Sequence, residues 1–390
     1  MEQMHSLVAH NVAAYYQLPK EVVFCKRCVV SNQRPRIVFD DQGVCNACNY
    51  AYKKQRVINW AEREQKFLDL LDRHRSRNGQ YDVIVPCSGG KDSASVAHRL
   101  KYHYNMHPLT VTWAPHIYTE IGWRNLQSFI HSGFDNILIT PNGRVHRTLT
   151  KLSFEVLGDP FQPFVYGQMA SPFRIAVNYK IPLVFYGENG EVEYGGSTKN
   201  EDMPGNMIED FSRFYFSGLL TDEFVKYGIS DSDLQPYRMP SYEELREAGI
   251  EMHWFGYYHK WIPQENYYYA AKHTGFQANP DGRSEGTYSK YASLDDRTDG
   301  FHYYMGYVKF GIGRATSDAS HEIRDGHITR EEGVRLVHRY DGEFPKKYFK
   351  DFLEYTELKE EQFNQIVDSY RPPHLWEKVK GEWKLKHRVF

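Results

Sequence analysis

The sequence predicts an α/β chain: a doubly wound parallel sheet, preceded by a small cysteine-paired segment and followed by a mostly helical part. Three observations carry this prediction. Short apolar runs alternate with helix-period stretches between about residues 60 and 190. The first run opens into a glycine-rich turn and then a helix, and beyond about residue 324 the chain becomes charged and helix-like. The bounds that follow are 1–56 for the N-terminal segment, 57–250 for the α/β domain and 251–390 for an aromatic-rich, mostly helical region. A chain of 390 residues, 41% hydrophobic, can bury a sizeable core. Its 48 Lys and Arg against 50 Asp and Glu give a net charge of −2, which argues against a partner held by nucleic-acid phosphates and leaves only a local basic groove open. No apolar run approaches the ~20 residues of a membrane helix. His5, His10, Asn11 and Gln17 break up the opening stretch, so no signal peptide is expected and the location expected is cytoplasmic.

Taken in order, the first element is a pair of Cys-x-x-Cys knuckles, Cys25–Cys28 and Cys45–Cys48, separated by residues 29–44. Each knuckle sets two thiolates on one tight turn, and Arg34-Pro35 and Asp41-Gln42-Gly43 bend the insert around a strand-like Ile37-Val38-Phe39. This is zinc-ribbon spacing: four sulfurs fill zinc's coordination, so the metal reads as structural, against the alternatives of a catalytic zinc, an iron–sulfur cluster or redox thiols. A helix follows over about 60–77, with Phe67, Leu68 and Leu71 on one face. Next come a strand at 81–86, the turn Cys87-Ser88-Gly89-Gly90-Lys91-Asp92-Ser93, and a helical run through Ala94, Val96, Ala97 and Leu100. Strand, glycine-rich turn and helix form a phosphate cradle, because backbone N–H groups turn inward and the helix start adds positive potential. Lys91 is followed by Asp92 and Val85 stands where a Walker loop needs its first glycine, so this is not a kinase or GTPase loop. Further strands are predicted at 109–113, 136–140 and 182–186, with a helix near 122–132. Trp113, Ala114 and Gly187, just past strand ends, are candidate adenine and ribose walls.

Ser88-Gly-Gly-Lys-Asp-Ser93 resembles the PP-loop of the ATP pyrophosphatases. That resemblance implies ATP cleavage between the α and β phosphates, with pyrophosphate held by Ser88, Gly89, Gly90, Lys91, Asp92 and Ser93 and with Asp92 helping to hold Mg²⁺. It makes the predicted fold a PP-loop ATP pyrophosphatase sheet with an N-terminal zinc ribbon and a helical C-terminal part. An adenylating loop leaves the acceptor open. After the zinc quartet only Cys87, at a strand end where packing is its default role, remains for sulfur transfer or glutamine hydrolysis. Glu2 gives no N-terminal cysteine, so ammonia is expected from elsewhere.

Segments spread along the chain resemble the N-acetyl sugar amidotransferase family of bacterial surface-polysaccharide biosynthesis. They include Cys25 to Ser31 with Arg34-Pro35, Gly43 to Cys48, the loop 88–93, Gly187-Glu188-Asn189 with Glu193 to Gly196, Gly286 to Tyr291 with Asp295-Asp296, Lys309 to Thr316, Glu322 to Arg324 and Thr329 to Glu332. The resemblance implies that ATP and ammonia convert the acetamido group of a nucleotide-linked sugar into an acetamidino group. It also implies a partner glutaminase, and a subunit akin to the cyclase of histidine biosynthesis, supplying the ammonia. Within that scheme Lys309 and Arg314 are candidates for stabilising the α-phosphate, the alternative being ordinary surface cations. Glu188, Asn189, Glu193 and Tyr194 are candidates for sugar hydroxyls, metal or the ammonia proton, against a solvated acidic loop. Asp295 and Asp296 either hold Mg²⁺ or cap a helix starting near Thr298. A tRNA-thiolating enzyme and a non-catalytic glutaminase scaffold are the competing readings. Aromatic clusters at 253–261, 267–269 and 301–304 suit sugar faces or bases as well as cores. His253, His259 and His302 lack metal spacing, and 331–340 and 359–370 read as amphipathic helices.

Overall fold

A computed structural model describes residues 8–199, 201–205 and 216–390; Glu2 and His5, used above, lie outside them. Five parallel strands form one sheet in the order β3-β2-β1-β4-β5: β1 Val83–Pro86, β2 Pro108–Trp113, β3 Asp135–Ile139, β4 Leu183–Tyr186 and β5 Glu251–Trp254. The chain runs outward from β1 in one direction and then returns to run outward in the other. This places the switch point, and with it the ligand crevice, at the carboxyl ends of β1 and its neighbours.

Both faces of the sheet's centre are covered, which is why β1 and β4 read as continuous apolar runs. Val83, Val85, Leu183 and Phe185 point into one core, with Phe67, Leu70 and Leu71 of α1 (Trp60–His74) and Ala97 and Leu100 of α2 (Lys91–Tyr102). Ile84, Leu109, Val111 and Val184 point into the other, with α3 (Gly143–Leu157) and Tyr166, Met169 and Phe173 of α4 (Gln162–Tyr179). The buried face of α1 takes Leu70 where the sequence suggested Leu68, which is half-buried.

The expected boundary at 250 falls one residue before β5, so the sheet takes its fifth strand from the aromatic-rich segment. Only Met252 and Trp254 of that strand are buried, and the aromatic cluster around it masked the signal. Helices α5 (Asp299–Phe310), α6 (Arg314–Asp325), α7 (Arg330–Tyr340), α8 (Phe349–Thr356) and α9 (Glu360–Ser369) follow. Phe301, Met305, Val308, Phe352 and Phe363 join the same core as α4, so the C-terminal helices are built onto the sheet domain. Among the described residues no helix is long and apolar enough to cross a membrane.

Candidate active site

The glycine-rich turn leaves β1 and enters α2 directly, with Gly90 as the helix N-cap and no side chain closing the first turn. The first-turn N–H groups of α2 are thus left without a side-chain acceptor, an arrangement that suits an anion at a helix start. Gly89 is dictated twice: its φ is +82°, and a Cβ there would lie 2.5 Å from the Leu126 Cα. Around the turn lies a cavity of about 340 Å³, lined by Ser88, Gly89, Gly90, Lys91, Asp92 and Ser93, by Trp113, Gly187 and Glu188 at the ends of β2 and β4, and by Tyr291 to Asp295 and Arg314 from the C-terminal region. Its place is the crevice that the strand order requires.

Within the cavity Lys91 Nζ contacts Asp92 Oδ2, and Asn266 donates to Asp92 Oδ1 at 3.1 Å. Asn266 sits in an ordinary helical stretch, and nothing in its surroundings in the sequence marked it. Trp113 lies with its indole N–H buried and unpartnered, against Gly167, where a Cβ would come within 2.0 Å of the ring. The thiol of Cys87 is buried, and burial pushes it up to about 11. Burial and the Asp92 carboxylate lift Glu188 to about 7. Burial, together with Asp299 and Asp296, lifts Asp295 to about 6, against a hydrogen bond from Ser88. Burial thus disfavours the charged form of two carboxyl groups that line the same cavity as Lys91 and Arg314.

Asp296 plays a different part from its neighbour. It accepts from the His116 N–H and the Thr298 N–H at 2.7 and 2.8 Å, pairs with His116 Nδ1 at 2.7 Å and takes the Thr298 hydroxyl at 2.9 Å. Its oxygens hold loops together and tie down the start of α5, whereas Asp295 faces the cavity. Of the carboxylates expected at a Mg²⁺ site, Asp92 and Asp295 line this cavity and Asp296 does not.

The structure separates the other expected residues. Arg314, first residue of α6, lines the cavity, braced by Asp318 at 3.0 Å and by the Tyr303 hydroxyl. Lys309 does not: it is buried beside the Leu157 carbonyl and opens onto another cavity, because the turn Gly311-Ile312-Gly313 sends α5 and α6 in different directions. Asn189 is consumed as the N-cap of the short helix Gly190–Tyr194, accepting from the Glu191 N–H at 3.0 Å. Glu193 is buried, 2.9 Å from Lys54 Nζ and 3.2 Å from His321 Nε2. Burial opposes its charge, yet Lys54 and His321 hold its carboxyl down to about 2. Tyr194 lines a narrow cleft with Lys91, Tyr291 and Arg314, next to the cavity. Of the four residues expected to meet substrate, Glu188 alone lines the cradle.

Cys25, Cys28, Cys45 and Cys48 come together, all buried, with their sulfurs within 4.8 Å of one another. The Cys25–Cys48 and Cys28–Cys45 sulfurs are 3.9 and 3.7 Å apart. Zinc–sulfur bonds of about 2.3 Å put tetrahedral sulfurs about 3.8 Å apart, so the quartet fits zinc with no position left for substrate. Arg324 Nη1 lies 3.9 Å from Cys28 Sγ, a cation beside what would be thiolates.

Residues 285–389 match the family model described as LPS biosynthesis protein WbpG-like, C-terminal domain. No curated protein matches the chain. Among solved structures, similar chains include an NH3-dependent NAD synthetase from Campylobacter jejuni, 16% identical with a TM-score of 0.29, covering 50% of this chain and 94% of that one. Another is an NMN synthetase from Francisella tularensis, 12% identical with a TM-score of 0.28, covering 57% of this chain and 99% of that one. The matched C-terminal segment is the one that supplies Tyr291 to Asp295 and Arg314 to the phosphate cradle. Residues 285–389 of this chain are thus similar to the C-terminal domain of WbpG-like LPS biosynthesis proteins.

Proposed function

We propose that the chain is an ATP-dependent, AMP-forming amidotransferase that converts the acetamido group of a nucleotide-linked N-acetyl sugar into an acetamidino group for bacterial O-antigen or related glycan biosynthesis. The observation that carries this reading is the shared cavity: the Ser88–Ser93 turn and residues of the segment that matches the WbpG-like C-terminal domain line one space. An amide carbonyl is a poor electrophile, and the reading supplies an activation step for it. The acetamido oxygen attacks the α-phosphorus of ATP, the bond to the bridging oxygen breaks and pyrophosphate leaves. Ammonia then adds to the imidate carbon, the C–O bond to AMP breaks, and the surplus proton passes to Glu188.

In this reading the N–H groups of 88–93 and Lys91 hold the β and γ phosphates, Arg314 stabilises charge on the α-phosphate, and Trp113 and Gly187 wall the adenosine. Mg²⁺ held by Asp92 and Asp295 would neutralise the departing pyrophosphate. A second cavity of about 600 Å³ shares Ser293, Leu294 and Arg314 with the first and offers the acceptor a way in. Ammonia would come from a partner glutaminase acting with a cyclase-like barrel subunit: outside the four-cysteine cluster the remaining cysteine is Cys87, whose buried thiol is pushed up to about 11, which disfavours the thiolate that glutamine hydrolysis or sulfur transfer would need. Zinc in the four-cysteine site would be structural. The test is direct: purified chain given ATP, Mg²⁺, ammonium and a UDP-linked N-acetyl sugar is expected to release AMP and pyrophosphate in step with acetamidino product. Release of ADP, or sulfur transfer to tRNA, would overturn the proposal.

A further inference from the structure

Lys309 lies outside the phosphate cradle, and its surroundings are those of an anion site. It is 4% exposed, its Nζ reaches one protein acceptor among the described residues, the Leu157 carbonyl at 3.3 Å, and the rings of Tyr16 and Phe310 stand 5.6 and 5.4 Å from it. The nearby Asp159 carboxylate is engaged by His302, whose Nδ1 lies 2.9 and 3.0 Å from its two oxygens. A buried ammonium with one long hydrogen bond is costly unless something else meets it. Lys309 opens onto a cavity of about 730 Å³ that also carries Arg34 and Arg36, with Asp159 as its one carboxylate among the described residues, and Tyr15, Tyr16 and Tyr303 among its walls. Arg34 is fixed by donation from Nε to the Gly195 carbonyl at 2.7 Å, and Arg36 pairs with Glu191 at 3.2 Å on the rim. Cations clustered with tyrosine rings suit phosphates attached to a planar base.

This cavity is also linked to the cradle. Tyr303 lines both it and the 600 Å³ cavity beside the cradle, and the Tyr303 hydroxyl accepts from Arg314, which faces the cradle. We propose that the Lys309 cavity binds the nucleoside diphosphate portion of the acceptor, with the sugar running past Tyr303 toward Arg314. The proposal rests on the reaction argued above for the choice of acceptor. The ligand chemistry itself, a diphosphate carrying a base, is read from the cavity.

The test is calorimetric titration of the full chain with UDP and with inorganic pyrophosphate, the cradle first being saturated with a non-hydrolysable ATP analogue. One UDP per chain is expected. Lys309→Met is expected to weaken UDP roughly tenfold or more, as loss of a charged hydrogen-bond partner does, and to leave the ATP analogue unaffected. Because the substitution removes a buried and poorly partnered charge, the ligand-free variant is expected to melt no lower than wild type. Arg36→Gln, at the rim, is expected to weaken UDP without altering the fold. UDP displaced by the ATP analogue, or UDP affinity unmoved by both variants, would overturn the site. So would a Lys309→Met chain that does not fold beside an Arg36→Gln chain that binds UDP normally. Inhibition by UDP that is not competitive with the nucleotide sugar would make the ligand a regulator and overturn the acceptor assignment. Normal UDP binding with no AMP release from any nucleotide sugar would leave the site standing and remove the reaction.

Discussion

Glu188 and Asp295 show how one cavity sets the chemistry of single residues. Both carboxyl groups are desolvated beside other acids, and their folded values, about 7 and about 6, lie above the ordinary ones. A group that binds its proton more tightly folded than unfolded stabilises the fold below its unfolded pKa, and that contribution is lost as pH rises through the folded value. The ligand-free chain is therefore expected to lose stability between about pH 4 and pH 7. The Glu188→Gln, Asp295→Asn double variant is expected to flatten that decline, and Mg²⁺ to oppose it in the wild type only. Thermal melts across this pH range check both, and a double variant with an unchanged profile would reject the assignment. The same pair shows what a sequence can reveal about a residue. Asp295 and Asp296 are adjacent and chemically alike, and only the loop that turns one toward the cradle and the other toward His116 and Thr298 separates their roles.

At the scale of elements, most of what positions the cradle was legible. Strands β1, β2 and β4 announce themselves because they are buried on both faces, the edge strand β3 only through its Ile137-Leu138-Ile139 run, and α2 because a glycine-rich turn precedes it. The signal failed where contacts are distant in sequence. β5 has two buried positions, Lys309 and Arg314 look equivalent until a turn parts them, and Glu193 reads as an acidic loop residue until Lys54 arrives from the helix Asn46–Arg56. That last contact is a sharp test of how the elements are joined. Lys54, 1% exposed, lies 2.9 Å from Glu193 and 3.7 Å from Asp325, and donates to the Trp261 carbonyl at 2.8 Å. Lys54→Met leaves two buried carboxylates short of a cation, which is expected to cost about 3–5 kcal/mol. Adding Glu193→Gln is expected to restore a good part of it. Urea unfolding of the single and double variants decides the matter, and strictly additive losses would mean the ion pair does not join the ribbon to the sheet domain.

For the whole molecule, the question is why the four-cysteine cluster at one end should matter to the cavity around the glycine-rich turn, and α6 supplies the answer. Twelve residues make a rod of about 18 Å. Its first residue, Arg314, lines the cradle. Near its far end Arg324 donates to the Glu193 carbonyl at 2.8 Å and approaches Cys28 Sγ, while His321 and Asp325 pair with each other at 3.0 Å and with Glu193 and Lys54 at 3.2 and 3.7 Å. The ribbon also packs on Ile312, just ahead of the helix. Loosening the four cysteines therefore removes the support from one end of a rigid element whose other end positions a cation in the cradle. We expect the chain to release zinc when it is chelated, and the metal-free protein to bind a non-hydrolysable ATP analogue roughly tenfold more weakly, about 1.4 kcal/mol. Cys45→Ser is expected to do the same. Melting followed by zinc release and by tryptophan fluorescence should show one transition, because the ribbon, α6 and the sheet share buried contacts. Two separate transitions, with nucleotide affinity unchanged after the first, would show the ribbon to be an independent unit and α6 no more than its neighbour.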